Sequence, residues 1–410
     1  MAGQDDSDRV PLRIQAPVYG VATFTNSAPD VVLVVVPLWV LTLDPSPLMI
    51  GIVLGVRHMG PVLFSIHGGA LMDRLGTRNV LVALAILSIA VPLAFPLSPW
   101  IVAMIALQFL GGLADTLGWV GAQTLSGQLL YGNPLYTGRL AFCTRIGTFA
   151  GPPAAGAAWD VFGPWGAFAV LALWGTGTLV STLALPRGAL PAPGEVGGRF
   201  SAGALMPRLD DYIAAIKLFA IPVMALVMAI TALRQFGAGM QSSFYVVYLE
   251  GIGVSGTAIG LLISINGIAG AAVSLGTGRL ARAFHEFRLL IVMVAASLVA
   301  IGVTPLLTTM APLATASAIR GAALAISVVL IVSLIARSVG PANQGKGMGL
   351  RVTCNQILST LAPIVMGAVT EFAGIEAAFY VVSVAALALL GALAFVSRRM
   401  TPPPLLSRQR

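Results

Sequence analysis

Long apolar runs follow one another along almost the entire chain, and they decide what it folds in. Read between polar or Pro/Gly breaks, they place helices near 16–42, 47–71, 78–97, 100–128, 137–160 and 164–186. A second set falls near 217–248, 255–281, 288–309, 312–336, 346–371 and 375–397. Each is about as long as the roughly 20 apolar residues that cross a bilayer. Lipid offers no partner to an open sheet edge, so about twelve such spans predict an all-α membrane protein. Hydrophobic residues make up 57% of the chain and charged residues 9%, with mean hydropathy +0.93. A soluble domain carries about a quarter charged residues, so that class is excluded.

Orientation follows from Lys and Arg. Four arginines lie deep within predicted helices: Arg57, Arg145, Arg234 and Arg320. The other basic residues map to the side that holds both termini, while the opposite short loops carry Asp44, Asp160, Glu250, Glu371 and Glu376. Positive charge favours the cytoplasmic face, which predicts cytoplasmic termini and a multi-pass cell-membrane protein. The first residues, MAGQDDSDRVPLR, are polar and acidic and lack a signal-peptide pattern. The net charge of +8 is accounted for by this asymmetry and by contact with anionic membrane lipid. No basic run is interleaved with stacking aromatics, so a nucleic-acid partner is not expected. Cys143 and Cys354 fall inside helices, outside any metal-ligand spacing, and His58, His67 and His285 are scattered. No metal, nucleotide or haem signature is present in the sequence, so no cofactor is expected and an enzyme is not indicated.

The stretch Gly69-Ala70-Leu71-Met72-Asp73-Arg74-Leu75-Gly76-Thr77-Arg78 follows the second run. Its spacing, G-x-L-x-D-R-x-G-x-R, resembles the loop signature of the major facilitator superfamily between the second and third helices. Physically, the glycines permit a tight turn and close helix packing, and the charges can pair with a neighbouring helix end. The resemblance implies a solute transporter in which Gly69, Asp73, Arg74, Gly76 and Arg78 serve conformational switching. The fold it implies has two parallel six-helix halves with the substrate near mid-membrane between them.

The chain also repeats itself. A shift of 209 residues lays Gly51 on Gly260 and Gly69 on Gly278; a shift of 211 lays Pro152 on Pro363, Gly156 on Gly367 and Cys143 on Cys354. Two pseudo-symmetric halves explain both shifts. The expected boundaries are an N-terminal six-helix bundle over 1–186, a cytoplasmic linker over 187–215 and a C-terminal bundle over 216–410. Nothing in the pattern demands an oligomer, so the expected unit is a monomer.

The fifth span contains Gly147-Thr148-Phe149-Ala150-Gly151-Pro152-Pro153-Ala154-Ala155-Gly156. This run resembles an element of the superfamily's antiporters, with Ala155 in place of one terminal glycine, and implies a bacterial proton-coupled exporter. Glycines let helices touch, while prolines remove backbone donors. Gly147, Gly151, Pro152 and Gly156 are therefore read as switch residues. One departure stands against that reading. Many such exporters carry an arginine in the fourth helix before a glycine pair, whereas here Gln108 precedes Gly111-Gly112 and holds no charge.

An ionisable group at mid-membrane costs roughly 2.5–3.5 kcal/mol on insertion scales, so each one is a functional candidate. Asp30 in the first span and Asp115 in the fourth are the candidate proton-coupling acids; the alternative is that each pairs with Arg57 or Arg145. Arg57, Arg145 and Arg234 are candidate substrate ligands, and the excess of deep arginines over deep aspartates points to a small-molecule substrate with negative charge. Trp119, Gln123, Tyr245, Tyr248, Asn266, Asn355 and Gln356 complete the candidate pocket; their alternative is interhelical glue. The expected function is proton-coupled export of a small organic solute from the cytoplasm across a bacterial inner membrane. The alternatives are an importer or facilitator of a small organic anion and a non-transporting membrane sensor of the same fold.

Overall fold

The computed structural model describes residues 10–130, 134–186, 217–274, 276–277, 280, 283–339 and 344–399. The linker expected over 187–215 lies outside these residues, as does Gly278, the repeat partner of Gly69. The helices are α1 (Leu12–Leu41), α2 (Pro47–Val56), α3 (Met59–Leu75), α4 (Thr77–Ala94), α5 (Ile101–Leu130) and α6 (Pro134–Leu183). They continue as α7 (Pro222–Gln241), α8 (Phe244–Gly251), α9 (Gly256–Ser274), α10 (Glu286–Gly302), α11 (Met310–Val339), α12 (Gln344–Ala373) and α13 (Ile375–Arg399).

Among the described residues, ten stretches are long and apolar enough to cross a membrane. One of them, α6, is two spans joined at a corner, because Gly163 is non-helical with φ 65° and ψ −157°. Pro164 follows it and disfavours the helical region for the residue before it. The 17-residue α10 supplies the twelfth pass, so the all-α, twelve-span expectation holds.

Two spans are broken in their middle. α2 gives way to α3 at Arg57 and His58, where His58 N bonds Gly55 O in place of the usual rung. α7 gives way to α8 at Ser242 and Ser243; the Ser243 hydroxyl donates to Gly239 O at 2.7 Å. A side chain that bonds the preceding turn competes with the helix ladder.

Between α3 and α4 the chain reverses at Gly76, with φ 83° and ψ 133°, a region that side chains rarely adopt. Gly76→Ala should cost about 1–3 kcal/mol, read as a lower unfolding midpoint in detergent; an unchanged midpoint would show that the turn relaxes.

The apolar core has a telling layout. On the side of Asp44, one continuous cluster joins both halves, with Val36, Leu54 and Phe168 packed together with Phe244, Ile259 and Met366. On the side of Gly76 the core is split. One cluster, including Val18, Leu81 and Leu125, belongs to the first half; another, including Val227, Leu290 and Ile331, belongs to the second. The apolar core therefore joins the halves at the Asp44 end and is divided between them at the Gly76 end.

The fused end is held by two related seams. In the first, a Cβ at Gly156 of α6 would collide with the backbone of Gly256, and one at Gly260 of α9 with Pro152 O. In the second, a Cβ at Gly51 of α2 would collide with Pro363 O, and one at Gly367 of α12 would stand 2.5 Å from Pro47 O. Backbone meets backbone with no side chain between, the arrangement small residues allow.

A carboxylate closes each seam. Asp160 accepts from Gly256 N at 2.8 Å, Thr257 N at 2.8 Å and Thr257 Oγ1 at 2.6 Å. Glu371 accepts from Leu48 N at 3.0 Å. Both occupy the first turn of a helix from the opposite half, where unpaired N–H groups and the helix dipole favour negative charge.

Candidate functional site

Along α1, Pro29 removes one backbone donor just before Asp30. The Asp30 carboxylate faces the Thr148 hydroxyl and the Arg145 guanidinium of α6. Asn26, one turn earlier, donates to Thr148 Oγ1 at 3.5 Å. α1 is held in register with α6 by Ser27, whose hydroxyl accepts from Trp174 Nε1 at 2.8 Å and donates to Thr23 O at 2.7 Å. Arg145 and Thr148 also line a cavity of about 310 Å³ between α6 and α9, walled by Phe142, Phe149, Gly267 and Ile268. A carboxylate, a guanidinium and a hydroxyl thus meet beside a cavity between the halves.

Asp115 and Arg57 meet elsewhere. The Arg57 backbone lies on Gly112 of α5, where a Cβ would collide with Arg57 O. Its guanidinium pairs with Asp115 and donates from Nη1 to Gln108 Oε1 at 3.2 Å. The cluster sits inside the first half beside a void of about 40 Å³. Gln108 therefore accepts from an arginine brought in by another helix. Trp119 packs against the first-half core, and Gln123 is exposed.

In the second half, Arg234 on α7 is 7% exposed. It donates from Nη2 to Gln235 Oε1 at 2.7 Å, and Gln235 Nε2 donates to Ser359 Oγ of α12 at 2.7 Å. Arg351, half-buried on α12, lies near enough to Arg234 for the charges to interact. It was grouped with the basic loops in the sequence because it falls only seven residues into α12. The spacing Arg351, Asn355, Ser359, one helical turn each, is the signal that could have found it. Gln356 is half-buried beside that stripe.

Arg320 is 1% exposed and stacks over the Tyr245 ring, its Cζ 4.5 Å from the centroid. Its Nη2 donates to Ser317 Oγ at 3.4 Å, and that hydroxyl also bonds Tyr245 OH at 3.0 Å. Asn266 Nδ2 donates to Ser317 O at 3.2 Å, and Tyr248 OH donates to Pro305 O at 3.2 Å. Tyr245, Tyr248 and Asn266 are thus engaged in contacts between helices of the second half.

Of the switch residues, Gly69, Asp73 and Arg74 lie on α3, where the side chains of Asp73 and Arg74 fall outside what the structure describes. Arg78 donates to Thr182 O at 3.4 Å and Leu183 O at 2.9 Å, joining α4 to the end of α6. The glycine run of α6 presents two faces. Gly147 and Gly151 abut Ser27 and Val31 of α1, while Pro152 and Gly156 abut α9 across the seam.

A comparison with curated proteins finds no match. Among solved structures, the nucleoside transporter NupG has a similar fold: TM-score 0.77 at 16% identity, covering 94% of this chain and 99% of that one. A variant of the same transporter gives TM-score 0.78 at 14% identity, covering 93% and 99%. At such identities the likeness is one of fold. A family model described as Major Facilitator Superfamily matches residues 17–312 and 227–410. The chain belongs to the Major Facilitator Superfamily and is a multi-pass membrane transporter, not an enzyme.

Proposed function

We propose that this transporter exports a small organic solute by alternating access, in exchange for protons carried by Asp30. The observation that supports this most is the juxtaposition of Asp30, Thr148 and Arg145 beside a cavity between two halves fused at one end only. An acid there can hold a proton while the cavity faces one side and release it, into the arginine's field, when the halves rock. Asp115 is already committed to Arg57, so coupling falls to Asp30. By the distribution of Lys and Arg, the Gly76 side and both termini face the cytoplasm, in a bacterial inner membrane. The working unit is one chain with halves over 1–186 and 216–410, joined by 187–215, since both halves wall the cavity.

Proton movement in energised inside-out vesicles tests this, with panels of organic anions and amphiphilic cations. Wild type should release protons from the lumen on adding substrate, and Asp30→Asn should lose at least ~10-fold of that signal while still binding, as expected when a general proton carrier is removed. Transport with no proton movement in wild type would remove the antiporter reading. The second reading, uptake of an anion with protons, is favoured by the arginines of the second half and predicts proton movement of opposite sign.

A further inference from the structure

Arg234 on α7 and Arg351 on α12 are like charges close enough to interact. Among the described residues no carboxylate pairs with either. Arg234 is more than nine-tenths buried, and its Nε has no partner; neither has Arg351 Nε nor Asn355 Oδ1. Guanidinium groups in an apolar surround repel strongly and are costly unless neutralised. The first half shows the contrast: Arg57 is paired with Asp115, and Arg145, which is exposed, has the Asp30 carboxylate near enough for their charges to interact. The second half keeps its arginine pair without an acid and adds hydrogen-bonding groups around it. Arg351, Asn355 and Ser359 form one stripe on α12, and the Gln235 amide donates from Nε2 to Ser359 Oγ of that stripe.

We infer that Arg234, Arg351 and Asn355 form an oxyanion subsite, so that the transported solute carries a carboxylate or phosphate group. The inference rests on the transport reading and names the substrate class of that site. A planar oxyanion between two guanidiniums accepts forked hydrogen bonds from both and cancels their repulsion. The unpaired Nε donors are those such a group would engage. The Asn355 amide, able to donate from Nδ2, would complete the set. Arg320 also has Nε and Nη1 without a partner, but it is not part of this subsite, because the Tyr245 ring and Ser317 lie against its guanidinium.

The test is thermal unfolding of the full-length transporter in detergent, with succinate or inorganic phosphate added at constant ionic strength against chloride, and succinamide as the uncharged control. The expected result is a rise in midpoint with at least one anion and none with succinamide. The apparent affinity should fall on the order of 10–100-fold in Arg351→Gln and in Arg234→Gln. A second readout needs no ligand: Arg351→Gln should unfold at a higher temperature than wild type in anion-free buffer, because a repulsion has been removed. An ordinary structural arginine would show the reverse. Equal stabilisation by succinamide, or Arg351→Gln that is less stable than wild type and responds to anions as wild type does, would overturn the subsite. Asp30-dependent proton movement driven only by uncharged or cationic compounds would also overturn it, yet leave the transporter reading standing.

Discussion

Gly156→Leu should abolish transport while the protein still inserts and folds. The reason lies in the seam between α6 and α9, where a Cβ at this position collides with the backbone of Gly256. Backbone cannot rotate aside as a flexible side chain can, so the seam must part. Overpacking of this kind costs roughly 1–3 kcal/mol, equivalent to a shift of about 5- to 150-fold between two states. The cost falls only on the state closed at the Asp44 side; a state open there has no collision to relieve. Spin labels at Phe162 and Phe372, which are 73% and 90% exposed, with Cys143 and Cys354 replaced by serine, should report a longer distance in the variant. Normal flux with an unchanged distance would show that the contact is dispensable.

Asp115→Ala should produce a large loss of stability. Removing one member of a largely buried ion pair strands the other, at a cost approaching the ~3–5 kcal/mol of a fully buried pair. Among the described residues, Arg57 would keep Gln108 as its hydrogen-bond partner, in a space already shaped for its guanidinium. Combining Arg57→Met with Asp115→Leu should recover most of the loss, since replacing both partners by apolar groups is often close to neutral. The comparison is made by unfolding midpoints in detergent. A stable Asp115→Ala that lost proton coupling would instead return Asp115 to the coupling path.

How much was legible in the sequence depended on distance along the chain. Apolar run length placed nearly every span, because lipid imposes that rule on each helix separately. Two spans were read as continuous where the structure breaks them, at Arg57–His58 and at Ser242–Ser243, since neither break carries a proline. The shifted glycines were legible as a repeat, but not as a lock. Only folding shows that Gly51 meets Pro363 while Gly260 meets Pro152, each glycine resting on the opposite half.

The candidate site was read less evenly. Asp30, Arg145 and Arg234 stood out because charge in a membrane helix is conspicuous. The partner of each depends on helix rotation, which hydropathy without a marked polar face does not report. That is why Asp115 and Arg57 could be read as candidates for separate roles, and why Tyr245 could be read as a pocket residue although its ring is a lid over a buried cation.

The carboxylates at the fused end reach outward from their own halves: Asp160 clasps the start of α9, and Glu371 clasps the start of α2. Because each half holds the other by the same kind of contact, neither grip can be released alone without straining its counterpart. Opening should therefore be concerted, with no half-open intermediate of long lifetime. A barrier made of touching main chains also leaves no channel for ions while it holds, so tightness against leak and abruptness of switching have a common origin in a few missing side chains.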